Sequence, residues 1–226
     1  MENPSPVRKI VSLELHGGVM DTARHTAEVV QHLFAAYQLA VPYQGSVLRM
    51  LRKSGMDWEA IFRAAGIVPD LMSLQQLRRD FRAVSRELGG PQAVPGIREA
   101  LAALRESGAE CVIVSALPED RIARELVEAG LSTEDFDGIV AGRRSRKSAL
   151  QHIAAAWNVA PRDVTWVGGM GSDLAPVRDA GAEAVKLDPT ARSAGARASS
   201  REAAREVRNL AAVAAGRQSP DVHVLD

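Results

Sequence analysis

The chain has 226 residues, 46% hydrophobic and 25% charged, enough for one sizeable domain with a smaller insertion. Its 28 basic and 28 acidic residues cancel, so no global charge draws it toward nucleic acid or an anionic membrane. A single cysteine, Cys111, excludes a disulfide framework and a cysteine-rich zinc site.

Residues 1–9 hold no apolar stretch of signal-peptide length, and no segment nears the roughly 20 apolar residues of a membrane span. The expected compartment is therefore the reducing cytoplasm, with neither membrane nor nucleic acid as a partner. The first element, Ile10–Leu15, reads as a buried strand running into the polar and glycine-rich Glu14-Leu15-His16-Gly17-Gly18. Residues 22–90 then contain no convincing strand. Val29, Val30, Leu33, Phe34 and Tyr37 form one helical stripe. Leu71, Leu74, Leu77, Phe81, Val84 and Leu88 form another, with Trp58, Ile61 and Phe62 on a short helix between them. His25 and His32 share a helical face without a third ligand, which assigns them to ordinary packing. Gly89-Gly90-Pro91 and Val94-Pro95-Gly96 punctuate the return to the main domain.

Beyond this insertion, strands alternate with helices. Cys111–Val114, Val164–Val167 and Ala184–Leu187 are apolar runs, and Gly138–Val140 is a weaker one. Between them run the stripes Ile97/Leu101/Leu104, Ile122/Leu126/Val127 and Leu150/Ile153/Trp157. Strands apolar on both faces, linked by helices, predict an α/β fold with a Rossmann-like parallel sheet. The expected division is core at 1–21 and 91–190, an all-helical cap at 22–90, and a C-terminal helix (200–215) with a loose tail inside 191–226. The strand that carries Glu14 is expected at the centre, between those ending at Ser115 and Gly168, with the cleft under the cap.

The order of these motifs resembles the haloacid dehalogenase superfamily, in its phosphoglycolate-phosphatase-like group with a helical cap. The resemblance spans residues 7–187. It is carried by a strand with an acidic tip, a helical insertion, a strand ending in Ser115, a basic residue near Lys147, and Gly168-Gly169 followed by Asp173. In that family the first strand ends in a nucleophilic aspartate, with an acid/base aspartate two residues on. Here Glu14 and His16 stand at those positions. Gly17 matches, Gly18 replaces a threonine, and Asp21 matches the last acidic residue, where an N-cap or hinge role is the simpler reading. The resemblance implies Ser115 as the hydroxyl that holds a phosphoryl group. It implies Lys147 as the neutralising cation, with Arg143, Arg144 and Arg146 as competitors. The last motif has Gly169 for its first aspartate and keeps Asp173.

These departures matter chemically. The extra methylene of Glu14 moves the carboxylate by about 1 Å, a displacement that can cost on the order of 100-fold in rate. Loss of the carboxylate at 169 weakens a Mg²⁺ site, leaving Glu14, Asp173 and the His16 carbonyl as candidate ligands. Alternatively, Glu14 pairs with Lys147 or an arginine, and Asp173 caps a helix near Leu174. An anion cradle from Gly17, Gly18, Ser115, Ala116, Lys147 and Gly169 survives either way.

Three functional readings follow. The first is a phosphatase-like protein with impaired chemistry that binds a small anionic or phosphorylated molecule, a second copy of itself, or another protein. The second is a working Mg²⁺-dependent phosphatase on a small organic phosphate, with Glu14, His16, Ser115 and Lys147 as its catalytic set. The third is non-phosphate chemistry with His16 as general base. Restoring aspartate at 14, 16 and 169 is expected to raise phosphatase activity.

Overall fold

The computed structural model describes residues 9–67, 71–143, 145–169 and 171–187. The expected helix at 200–215 and the tail lie outside the described residues. Five strands form one parallel sheet: β1 (Lys9–Glu14), β2 (Ala109–Val114), β3 (Gly138–Val140), β4 (Val164–Gly168) and β5 (Glu183–Lys186). Their order is β3-β2-β1-β4-β5, with β1 central between the strands that lead into Ser115 and Gly169. The chain order reverses at β1. Such a reversal leaves a crevice at the carboxyl ends of the strands.

Helices cover both faces. On one side α5 (Ile97–Glu106) and α6 (Glu119–Glu128) pack Ile97, Leu101, Leu104, Ile122 and Leu126 against Val11 and Leu13 of β1. On the other, α7 (Arg146–Trp157) and the short α8 (Ala175–Arg178) pack Leu150, Ile153 and Val177 against Ile10 and Trp166. Side chains alternate along a strand, so Ile10, Ser12 and Glu14 share the α7 face while Val11 and Leu13 take the other. Glu14 is thereby aimed at the start of α7 before any polar contact is made. Val127 does not join the stripe expected of it. It is 69% exposed, because Ile122 and Leu126 already define the buried face and the next residue sits about 100° round the helix.

Four helices fill the insertion: α1 (Thr22–Ala36), α2 (Gln44–Lys53), α3 (Trp58–Ala64) and α4 (Leu71–Glu87). Their apolar faces meet in a cluster of their own around Phe62, Leu33, Val47, Leu51 and Leu77. Rings add directed contacts, with Phe34 and Phe62 centroids 4.9 Å apart and Trp58 stacked on Phe81 at 4.0 Å. His25 of α1 meets Ser85 of α4 at 2.8 Å, and the Tyr37 hydroxyl donates to Asp80 at 2.7 Å. Burial among these helices lowers the His25 pKa.

The insertion joins the core through two adjacent segments. Asp21 N–H donates to Gln92 O, and Val94 N–H donates to Val19 O, both at 2.8 Å. Asp21 also caps α1 by accepting from Arg24 N–H at 3.1 Å. Among the described residues no helix is long and apolar enough to cross a membrane.

Candidate functional site

The tip of β1 is built around the Glu14 carboxylate, which is only 9% exposed. Its Oε1 accepts from Arg146 Nε at 2.5 Å and from Trp166 Nε1 at 3.1 Å. Its Oε2 accepts from the Ser172 hydroxyl. Both oxygens are thus taken by donors from three other parts of the chain. Ser145 caps α7, its hydroxyl accepting from Ser148 N–H, and this cap fixes where the helix begins. Arg146 is consequently the first helical residue and turns toward the sheet, while Lys147, one step round the helix, is exposed.

Past Glu14 the chain makes one wide turn, Leu15–Val19, closed by Met20 N–H to Leu15 O at 2.8 Å. Gly17 lies there at φ +93°, a conformation that costs glycine little. Its backbone packs directly on the loop after β4. A Cβ added to Gly169 would fall 2.5 Å from Gly17 Cα, and one on Gly17 would fall 2.7 Å from Gly169 Cα. The two glycines therefore require each other. An aspartate cannot be placed at 169 without moving the backbone, so simple restoration of acidic residues at 14, 16 and 169 is not a conservative change.

His16 leaves the turn on the opposite side from Glu14, 41% exposed, with Nε2 2.9 Å from Oε2 of Glu125 on α6. Hydrogen bonding to His16 holds the Glu125 carboxyl below the usual range, and Arg121 assists. Ser115, just past β2, is tied into its own loop. Its N–H donates to Val140 O at 3.1 Å, and its Oγ accepts from Leu117 N–H at 3.1 Å. Its carbonyl accepts from Arg143 N–H at 3.3 Å, which brings Arg143 alongside.

Two cavities flank the Glu14–Arg146 pair. One, of about 270 Å³, lies beneath the inserted helices and is lined by His16, Gly17, Asp21, Thr22, Met56, Val94, Gly169, Ser172 and Leu187, among others. The second, of about 210 Å³, is lined by His16, Ser115, Ala116, Arg143, Arg146 and Trp166 together with the β-strand tips. Glu14, His16 and Arg146 border both. The insertion contacts the core at the first cavity. Gly171 leaves room there for Met56, whose Cγ would sit 2.6 Å from an added Cβ.

Among the expected site residues, the structure brings together Glu14, His16, Gly17, Ser115, Ala116 and Gly169. Gly18 is buried under the turn, and Lys147 points to solvent; neither lines these cavities. Asp173 is exposed, with Oδ1 accepting from Ala175 N–H at 3.1 Å in a local turn, while Leu174, which offers no side-chain cap, stands at the N-cap of α8. Among the described residues no group of three His, Cys, Asp or Glu side chains is placed to hold a metal ion. Three participants were not singled out from sequence: Trp166, Ser172 and Glu125. Trp166 shares the outward parity of Glu14 on a neighbouring strand, which is the one signal that pointed to it. Cys111 is buried strand packing, its thiol pushed up to about 12 by burial.

A five-stranded parallel sheet, reversed in order at its central strand and carrying a helical insertion over the strand tips, defines a Rossmann-like hydrolase architecture with a cap. The chain belongs to the haloacid dehalogenase-like hydrolase family, whose profile matches residues 14–186. No protein of curated function matches it. Solved structures share its fold at low identity. A haloacid dehalogenase family hydrolase from Deinococcus radiodurans R1, with bound phosphate and sodium, is 22% identical; the match covers 93% of this chain and 97% of that one, with a TM-score of 0.62. A predicted phosphoglycolate phosphatase from Haemophilus somnus 129pt is 17% identical over 80% of this chain and 85% of that one, with a TM-score of 0.56. A conserved haloacid dehalogenase-like protein of unknown function from Agrobacterium tumefaciens is 19% identical over 92% and 98%, with a TM-score of 0.62.

Proposed function

We propose that this chain binds a small anion at its strand tips and has little or no phosphomonoesterase activity. The observation that carries the reading is the state of Glu14. A nucleophile needs a free oxygen aligned with the reacting atom. Here Arg146, Trp166 and Ser172 occupy both oxygens. Releasing one would strip a buried carboxylate of donors, at a cost of about 1.5–3 kcal/mol per charged hydrogen bond.

The second cavity supports the binding half of the proposal. It is lined by two arginines and one carboxylate, with the Ser115 loop beside them; Arg146 is paired with Glu14, and an Arg143 Nη lies 3.4 Å from His152 Nδ1. This charge balance suits a small carboxylate or phosphate monoanion better than a cation. The family resemblance implies Mg²⁺ as the cofactor. The donors of this chain do not suit that ion, which asks for several free oxygen ligands. Gly169 offers no side chain, Asp173 is turned to its own loop, and Glu14 is engaged.

One contact favours a second reading. His16 stands at a cavity wall with Nε2 2.9 Å from Glu125 Oε2, an imidazole beside a carboxylate that could serve as a general base in non-phosphate chemistry.

Phosphate release from a panel of phosphomonoesters with Mg²⁺, together with thermal-shift titration of inorganic phosphate and small carboxylates, tests the proposal. Turnover far below about 1 s⁻¹ is expected. Stabilisation by an anion, lost in Arg143→Ala, is expected alongside it. Turnover at or above that level, abolished by Glu14→Ala, would overturn the reading.

A further inference from the structure

We infer that this chain supplies the cation at the tip of its central strand from its own sequence. The Arg146 guanidinium fills that role for Glu14 and closes the tip to divalent metal. Three features of the tip, independent of anion binding, point to this. First, Glu14 is buried, and a buried carboxylate must find a positive or strongly donating partner. Arg146 Nε supplies one at 2.5 Å on Oε1, Trp166 donates to the same oxygen, and Ser172 donates to Oε2. A divalent ion would have to displace a fixed positive charge rather than water.

Second, the partner carboxylate that such an ion needs is missing for a structural reason. The Gly17 and Gly169 backbones touch, so position 169 admits no side chain in this conformation. Third, the nearest acidic alternatives are held by other contacts. Asp173 accepts from Ala175 N–H at the turn into α8, and Asp21, which lines the same cavity as Glu14, caps α1 through Oδ1 while its Oδ2 makes no hydrogen bond and faces Arg24 Nε at 3.5 Å. The donors around Glu14 come from β4, the loop after it and α7, so this one carboxylate also fastens three segments that converge at the tip.

The test uses the full chain as it is. Mn²⁺ binding is followed by electron paramagnetic resonance, and Tm is measured in excess Mg²⁺ and in excess chelator, for wild type and Glu14→Gln. The expected result is no saturable Mn²⁺ binding that depends on Glu14 and no shift in Tm between Mg²⁺ and chelator. Binding that persists unchanged in Glu14→Gln lies elsewhere and also supports the inference. Saturable binding, or a Mg²⁺-dependent rise in Tm, that Glu14→Gln removes would overturn it. The outcome is separable from the anion-binding proposal. A metal-binding protein without turnover would sink this inference alone, whereas a metal-indifferent protein that ignores anions would sink only the other.

Discussion

The inserted helices and the strand tips are held together by different physics. The insertion closes around an apolar cluster in which Phe62 is fully buried, with ring contacts to Phe34 and Trp58. The tips close around one carboxylate, with partners 132 to 158 residues away in sequence. Apolar packing is non-directional and tolerates rearrangement; a buried charge with three donors tolerates little. The comparison teaches that this chain spends its polar precision on a contact internal to the protein, at the tip of its central strand.

Each half of the comparison can be broken separately. In the insertion, Phe62→Ala removes the central ring and is expected to cost about 4 kcal/mol, read from urea unfolding. A cost below about 1 kcal/mol would mean that the cluster is not what holds these helices. At the tips, Gly169→Ala places a methyl group against Gly17. The expected loss is about 2 kcal/mol, from overpacking that the backbone must absorb. A neutral result would show that the loop yields and that an acidic side chain at 169 is tolerable. Asp173→Ala removes an exposed turn contact and is expected to cost about 0.5–1 kcal/mol, with no change in anion or metal response. A changed metal response would restore Asp173 as a ligand.

The smallest effect concerns pH. Burial lowers the pKa of His25 in the fold from its ordinary 6.5, so the unfolded chain binds a proton more readily than the folded one. Stability is fully present above pH 6.5 and falls as pH drops from there toward the folded pKa. Glu125, also lowered, adds a loss in the same direction that begins below its ordinary 4.5. His25→Gln is expected to flatten the first of these slopes in a series of Tm measurements. An unchanged slope would remove His25 from the account.

The sheet was legible because its strands are apolar on both faces and because helical stripes separate them. Gly138–Val140, the weakest run, still forms β3 once Val112 and Val114 are there to pair with it. The insertion was legible as helical, but the short stripe of α2, Val47, Leu48 and Leu51, does not stand out from the segment before it. Gly45 and the preceding Val41-Pro42-Tyr43 resemble a loop, and only tertiary packing buries Val47, Leu48 and Leu51. The site was legible as a neighbourhood and not as a set of contacts. Which basic residue meets Glu14 depends on the start of α7, and a shift of one residue exchanges Arg146 for Lys147. No pattern in the chain announces Ser172 or Glu125, since each meets its partner only after the fold has formed. The closeness of Gly17 and Gly169 is likewise invisible until β1 and β4 lie side by side.

The account rests on Glu14 being bound internally, and a double-mutant cycle with Arg146 tests this most directly. Unfolding free energies are measured for wild type, Glu14→Gln, Arg146→Met and the double variant. Each single change leaves a partner stranded, whereas the double change removes both charges. The predicted coupling is at least about 1.5 kcal/mol, with the double variant more stable than Arg146→Met alone. Additive losses, with coupling near zero, would contradict the account.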